Sequence, residues 1–169
     1  MNSIKYHYLN HKNPLKLAKL LGVKLGENVE ITSKVIWGSE PYLISIGDNT
    51  KLSQNVTFSC HDGGVHVLRN LKNDGTLDLI SPISIGKNCF LGINVTVLGG
   101  VSIGDNVIVG ACSVVTKDLE SNSVYAGIPA KKICSLEEYY NKNADMFLPT
   151  KRMDSKSKKE FLENRFSSK

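Results

Sequence analysis

The sequence predicts an all-β protein, a solenoid of short parallel strands, and three observations carry that reading. An apolar residue recurs at every sixth position: Leu25 and Ile31, then Ile46, Leu52 and Phe58, then Leu79, Ile85, Leu91, Val97, Ile103, Val109 and Val115. Four places after each stands a small or β-branched residue, among them Val29, Val35, Thr50, Val56, Cys89, Val95, Val107 and Ser113. The place just after is repeatedly glycine, as at Gly26, Gly47, Gly86, Gly92, Gly104 and Gly110. A period this short and sustained fits neither a helix nor an ordinary hairpin sheet. Each unit reads as one strand and a turn, with three units to a coil. The first residue points to the axis and the fifth fills a tapered corner. Asn49 and Asn106 stand near turns, where asparagine accepts a left-handed backbone cheaply. Each coil buries its apolar face only against its neighbours.

The elements follow in order. Residues 1–24 form an N-terminal helical cap: 13–21 read as a short amphipathic helix, with Asn13 as cap, Pro14 in the first turn and Gly22 as stop. Coils occupy 25–120. The register slips by three residues between Trp37 and Glu40, and 61–78 (HDGGVHVLRNLKNDGTLD) is polar and glycine-bearing. That segment should leave the coil as an extruded loop, and long loops inside compact domains are usually functional. In 121–169 the chain is expected to leave the solenoid at Asn122–Pro129. SLEEYYNKNADMF and KSKKEFLENRF then form helices. At 169 residues the whole suits a single domain.

Composition narrows the function classes. Aromatics make up only 7% of the chain, as expected of a core of stacked Val, Ile and Leu. No apolar run approaches bilayer-spanning length, and Met1–Asn10 lacks the apolar stretch of a signal peptide. Cys60, Cys89, Cys112 and Cys134 have neither metal-ligand nor disulfide-framework spacing, so a reduced, cytoplasmic protein is expected. Of the net charge of +5, the segment from Lys151 onward carries +4, with seven basic and three acidic residues. This reads as a solvated tail: nucleic acid is not an expected partner, and membrane contact would come only through a lipid-linked acceptor.

Two stretches are the most specific: SEPYLISIGDNTKLSQNVTFSCHDGG (39–64) and ISIGKNCFLGINVTVLGGVSIGDNVIVGACSVVTKDLESNSVYAGIPAKKI (83–133). Through them the chain, from about Leu21 to Ile133, resembles the hexapeptide-repeat acyltransferases. Within that family it is similar to the sugar O-acetyltransferases of the galactoside, maltose and polysaccharide-biosynthesis groups. The resemblance implies a left-handed parallel β-helix, self-association as a homotrimer and acetyl-CoA as cosubstrate. It also implies a saccharide acceptor, with capsule or lipopolysaccharide synthesis as the setting.

The resemblance makes His61, at the head of the loop, the catalytic base. A neutral imidazole can take the proton of a sugar hydroxyl as the oxygen attacks a thioester carbonyl. Glu40 falls 18 residues before Phe58, in a place otherwise aliphatic, and is a candidate for orienting His61. Asp62, adjacent in sequence, is another. By the same resemblance the coenzyme lies along Phe90, Gly92, Gly110, Ala111, Thr116 and Lys117. It continues to the turn holding Pro129, Lys131 and Lys132, whose lysines would meet phosphates.

Other chemistries fit these residues less well. His61 and His66 have a spacing that also suits zinc, but a third histidine on an earlier coil is needed. His7 and His11 precede the repeats, so no metal is expected. Cys60 beside His61 would point to the opposite face of a strand, which disfavours a thiol nucleophile. An amino-sugar N-acetyltransferase usually carries an N-terminal nucleotide-binding domain, for which no Gly-rich turn is seen here. A non-catalytic solenoid would need neither the loop histidine nor the coenzyme segment.

Overall fold

In the computed structural model, which describes residues 3–167, the strands visit three sheets in strict rotation. The first coil comprises β1 (Lys24–Leu25), β2 (Glu30–Ile31) and β3 (Val35–Ile36). The second comprises β4 (Ile44–Ile46), β5 (Lys51–Leu52) and β6 (Val56–Ser59); the third, β7 (Ile83–Ile85), β8 (Phe90–Leu91) and β9 (Thr96–Leu98). The fourth comprises β10 (Ser102–Ile103), β11 (Val107–Val109) and β12 (Val114–Val115). One sheet therefore holds β1, β4, β7 and β10 and another β3, β6, β9 and β12, all in parallel pairings.

The six-residue rhythm gives the core directly. Ile46, Leu52, Phe58, Ile85, Leu91, Val97, Ile103, Val109 and Val115 are all buried, and each lies beside its equivalent in the adjoining coil. The corner residues Thr50, Val56, Cys89, Val95, Val107 and Ser113 are buried as well. Leu79 departs from the rhythm: it is exposed and belongs to the loop, not to the axis.

Two columns of residues with left-handed backbone mark the corners. Asn28, Asn49, Asn88, Asn106 and Asn122 form one, with amide bonds of 3.2 Å from Asn28 to Asn49 and 2.8 Å from Asn88 to Asn106. Asn55 and Asn94 form the other, which ends at Cys112, also at positive φ. The steps between column members measure each coil. The first step is 21 residues (three beyond the regular 18), the next is 39 because it contains the loop, and the last is 16.

The ends differ from the expectation in detail. The helix α2 (Pro14–Leu20) has its N-cap at Asn13, whose side chain accepts from the Lys16 amide at 3.0 Å, and Gly22 follows at φ +85°. A further helix, α1 (Ser3–Lys12), precedes it. Its buried Asn10 exchanges two hydrogen bonds with Val35, donating to the carbonyl at 3.0 Å and accepting from the amide at 3.1 Å. The extruded segment is not structureless, for it contains the helix α3 (Val65–Lys72).

At the other end Asn122–Pro129 does not leave the coil at once. There β13 (Ser123–Ala126) pairs in parallel with β11, and only the antiparallel β14 (Lys131–Ser135) reverses the chain. The last coil is two residues short, which takes Ser123–Ala126 out of the six-residue register although it still pairs with β11. The helices α4 (Leu136–Asn143) and α5 (Ser155–Phe166) follow, the latter capped by Asp154. The chain, read from sequence as one domain, forms two compact units, one up to Tyr139 and one from Tyr140 onward.

Candidate active site

Both irregularities of the repeat fall at the same corner, in consecutive coils, and this creates the site. Val35 and Ile36 pair with Val56 and Thr57, so Trp37 lies over Phe58. Their rings stack at 5.4 Å between centroids, 13° from parallel, and both are fully buried. Whatever follows Trp37 must therefore meet whatever follows Phe58. The chain turns at Gly38, at φ +68°, where a Cβ would stand only 2.8 Å from the Phe58 carbonyl oxygen. In the next coil it turns out of β6 into Cys60 and His61.

The result is a cluster on one imidazole nitrogen. Nδ1 of His61 lies 3.7 Å from Oε2 of Glu40 and 3.5 Å from the Ser39 hydroxyl. Glu40 reaches this place for a different reason from the one its spacing suggested. Trp37, not Glu40, is the coil neighbour of Phe58, because the first coil is three residues longer than the regular 18. Glu40 instead opens a short 3-10 turn at Pro41–Leu43, its carbonyl accepting from the Leu43 amide at 3.0 Å.

Its side chain is 14% exposed, and Oε2 is buried without a hydrogen-bond partner among the described residues. A buried acceptor left unmatched is costly. Nδ1 of His61, at 3.7 Å, is beyond hydrogen-bond distance in this structure; a proton on it would face this oxygen and leave Nε2 as the basic nitrogen.

The flanking residues have separate tasks. Cys60 is buried, and that burial pushes its thiol pKa up, helped by the Glu40 carboxylate, so the group stays protonated. Asp62 is turned away to accept from the Gly64 amide at 2.8 Å, and it shapes the entry to α3 rather than touching His61. The loop base is pinned by Asp62 to Leu79 and Ser81 to Cys60, at 2.9 and 2.8 Å. Arg69 donates to the Leu77 carbonyl at 2.6 Å and pairs with Asp78. His66 sits on α3 beside Asn70, and no group of three or more metal-binding side chains occurs among the described residues.

His61 stands between two clefts. One is lined by Gly38, Ser39, Glu40 and Ser59. The other runs past Leu79, Leu98 and Gly99 to Thr116, one of the residues assigned to the coenzyme. The turn holding Pro129 lies against β12, with Val114 donating to the Gly127 carbonyl at 3.0 Å and accepting from Ala130 at 2.8 Å. Ala111, Lys117, Pro129 and Lys131 are exposed; Phe90 is 39% exposed on the face of the neighbouring sheet.

Lys132 is engaged with Glu120 at 2.9 Å. Gly92 has a packing reason of its own, since a Cβ there would lie 2.7 Å from the Ala111 nitrogen. The exposed Lys117 and Lys131 fit a polyphosphate-bearing cosubstrate as point charges. Ser39 was not singled out from the sequence. Its only signal is its place next to Glu40 in the slipped segment.

A repeat-built coil with one histidine-centred corner defines a transferase built on hexapeptides, and known proteins agree. The family "Bacterial transferase hexapeptide (six repeats)" matches residues 82–117. Protein CapG of Staphylococcus aureus is 46% identical over 151 residues, 86% of this chain and 85% of that protein. Galactoside O-acetyltransferase of Escherichia coli (strain K12) is 39% identical over 108 residues, 62% of this chain and 52% of that enzyme's length. A solved structure of a galactoside acetyltransferase in complex with coenzyme A superposes with a TM-score of 0.61 at 30% identity, covering 82% of this chain and 80% of that one. The chain belongs to the hexapeptide-repeat transferase family and is an acyltransferase. Among the described residues, no helix is long and apolar enough to cross a membrane.

Proposed function

We propose that the protein is an acetyl-CoA-dependent O-acetyltransferase acting on a saccharide hydroxyl, in capsule or lipopolysaccharide synthesis, with His61 as general base. The observation that carries this is the buried, unmatched carboxylate of Glu40 beside Nδ1 of His61. In this reading the carboxylate favours a proton on Nδ1, so that Nε2 is the nitrogen that acts on an acceptor. The galactoside O-acetyltransferase relatives support the sugar and the coenzyme.

In this reading Nε2 accepts the proton of the sugar hydroxyl while the oxygen bonds to the thioester carbonyl carbon. As the carbon–sulfur bond breaks, His61 returns the proton to the leaving thiolate. Glu40 offsets the charge on the imidazolium in between. Thr116, Lys117, Ala111, Pro129 and Lys131 hold the coenzyme, and the Ser39–Glu40 side receives the sugar. The three-sided coil is the left-handed parallel β-helix, assembled as a homotrimer whose clefts join neighbouring chains. Four free cysteines fit a reducing cytoplasm.

The test is thiol release from acetyl-CoA with a panel of sugars. His61→Ala should lower turnover by roughly 10²–10⁴-fold with an unaltered thermal midpoint. Unchanged turnover in the variant would remove His61 as base. No turnover with any acceptor would favour a non-catalytic solenoid.

A further inference from the structure

We infer that Leu98, with Leu79 across from it, sets the length of the acyl group that the protein transfers. The inference rests on the acyl transfer proposed above. It starts from strand register. Ser59 of β6 lies beside Leu98 of β9, and Thr96 and Val97 pair with Val114 and Val115, which sets Thr116 beside Leu98. One row on the outer face thus runs from Ser59 through Leu98 to Thr116. It leads from the histidine corner to the assigned coenzyme residues. An acyl group carried on the coenzyme and presented to His61 must pass Leu98.

The two clefts at His61 differ in the chemistry of their walls. The one holding Ser39 and Glu40 offers a hydroxyl and a carboxylate, which suit a polyol. The other brings in Leu79 and Leu98, exposed by 53% and 37%, and so sets two apolar side chains among polar neighbours such as Ser59, Ser81 and Thr116. Gly99 can add no side chain to this cleft, because a Cβ there would stand 2.7 Å from the Cys60 carbonyl oxygen. The room beside His61 is therefore governed by the two leucine side chains. An added methylene in an apolar pocket changes discrimination by about 10–200-fold. Leucine at these two places selects a short acyl group, and shortening either admits a longer one.

Acetyl-, propionyl- and butyryl-CoA are compared at a fixed sugar concentration for the wild type, Leu98→Ala, Leu98→Phe, Leu79→Ala and the control Leu20→Ala. Leu20 is an exposed residue at the end of α2. The wild type should prefer acetyl. Leu98→Ala should raise the butyryl-to-acetyl ratio of kcat/KM by about tenfold or more, Leu79→Ala should move it in the same direction, and Leu98→Phe should lower it. The KM for the sugar should stay constant in all of them, and Leu20→Ala should leave the ratio unchanged. A flat ratio in Leu98→Ala with active wild type overturns this inference alone, as does a wild type that uses butyryl and acetyl equally. Absence of wild-type turnover with every donor overturns it together with the proposed reaction.

Discussion

Glu40 and His61 are each placed by main chain, and their side chains meet only because two insertions share a corner. Glu40→Gln keeps the size and one acceptor but loses the charge. It should lower kcat by at least about tenfold, short of the ~10⁴-fold that a wrong tautomer can cost, with the coenzyme KM constant in steady-state kinetics. Beneath them Trp37 and Phe58 stack in the core, and Trp37 Nε1 has no hydrogen-bond partner among the described residues. Trp37→Ala should cost about 3–5 kcal/mol in denaturant unfolding. Trp37→Phe should cost distinctly less, because it also removes a buried donor that has no acceptor.

At the level of elements, α1 matters through one residue. Asn10 supplies to Val35 the two hydrogen bonds that a neighbouring strand would otherwise make. Asn10→Ala should destabilise the protein by roughly 1–3 kcal/mol and release protection of the Val35 amide in hydrogen exchange. The six-residue rhythm made the coils, the N-terminal cap at Asn13 and the emergence of the loop at His61 legible from sequence, because each depends on local chemistry. What escaped depends on distant contacts. An eight-residue helix such as α3 is marginal alone, and Arg69 closes its segment through Leu77 and Asp78. β13 escaped because Ser123–Ala126 returns to the six-residue face after a shortened coil. Glu40 was found by a spacing argument that the three-residue slip invalidates, whereas Ser39 carried no periodic signal at all.

For the whole molecule, the three sheet faces are not alike. The outward residues Lys24, Ser45, Ser84 and Ser102 make the β1–β4–β7–β10 face polar, while Ile36 and Leu98 on another sheet and Phe90 on the third leave those faces partly apolar. Buried contacts between copies should use the latter two. Sedimentation equilibrium should give the mass of three chains, and Ile36→Lys should shift it toward one chain if that sheet lies in the contact. A single mass of one chain for the wild type would count against the trimer.

The ends of the coil have a further consequence for growth. A stack of parallel coils presents at each end a ring of strands ready to receive another coil, and nothing in the repeat itself says where to stop. Here Asn10 occupies the open edge at Val35, and α2 buries Leu17 and Ala18 against the first coil. At the other end β14 reverses direction and carries Lys131 and Lys132 on an exposed edge. A copy approaching either way finds the wrong polarity or a lysine. Deletion of residues 1–22 should remove one of these stops and yield end-to-end fibres visible by electron microscopy, at concentrations where the intact chain stays dispersed.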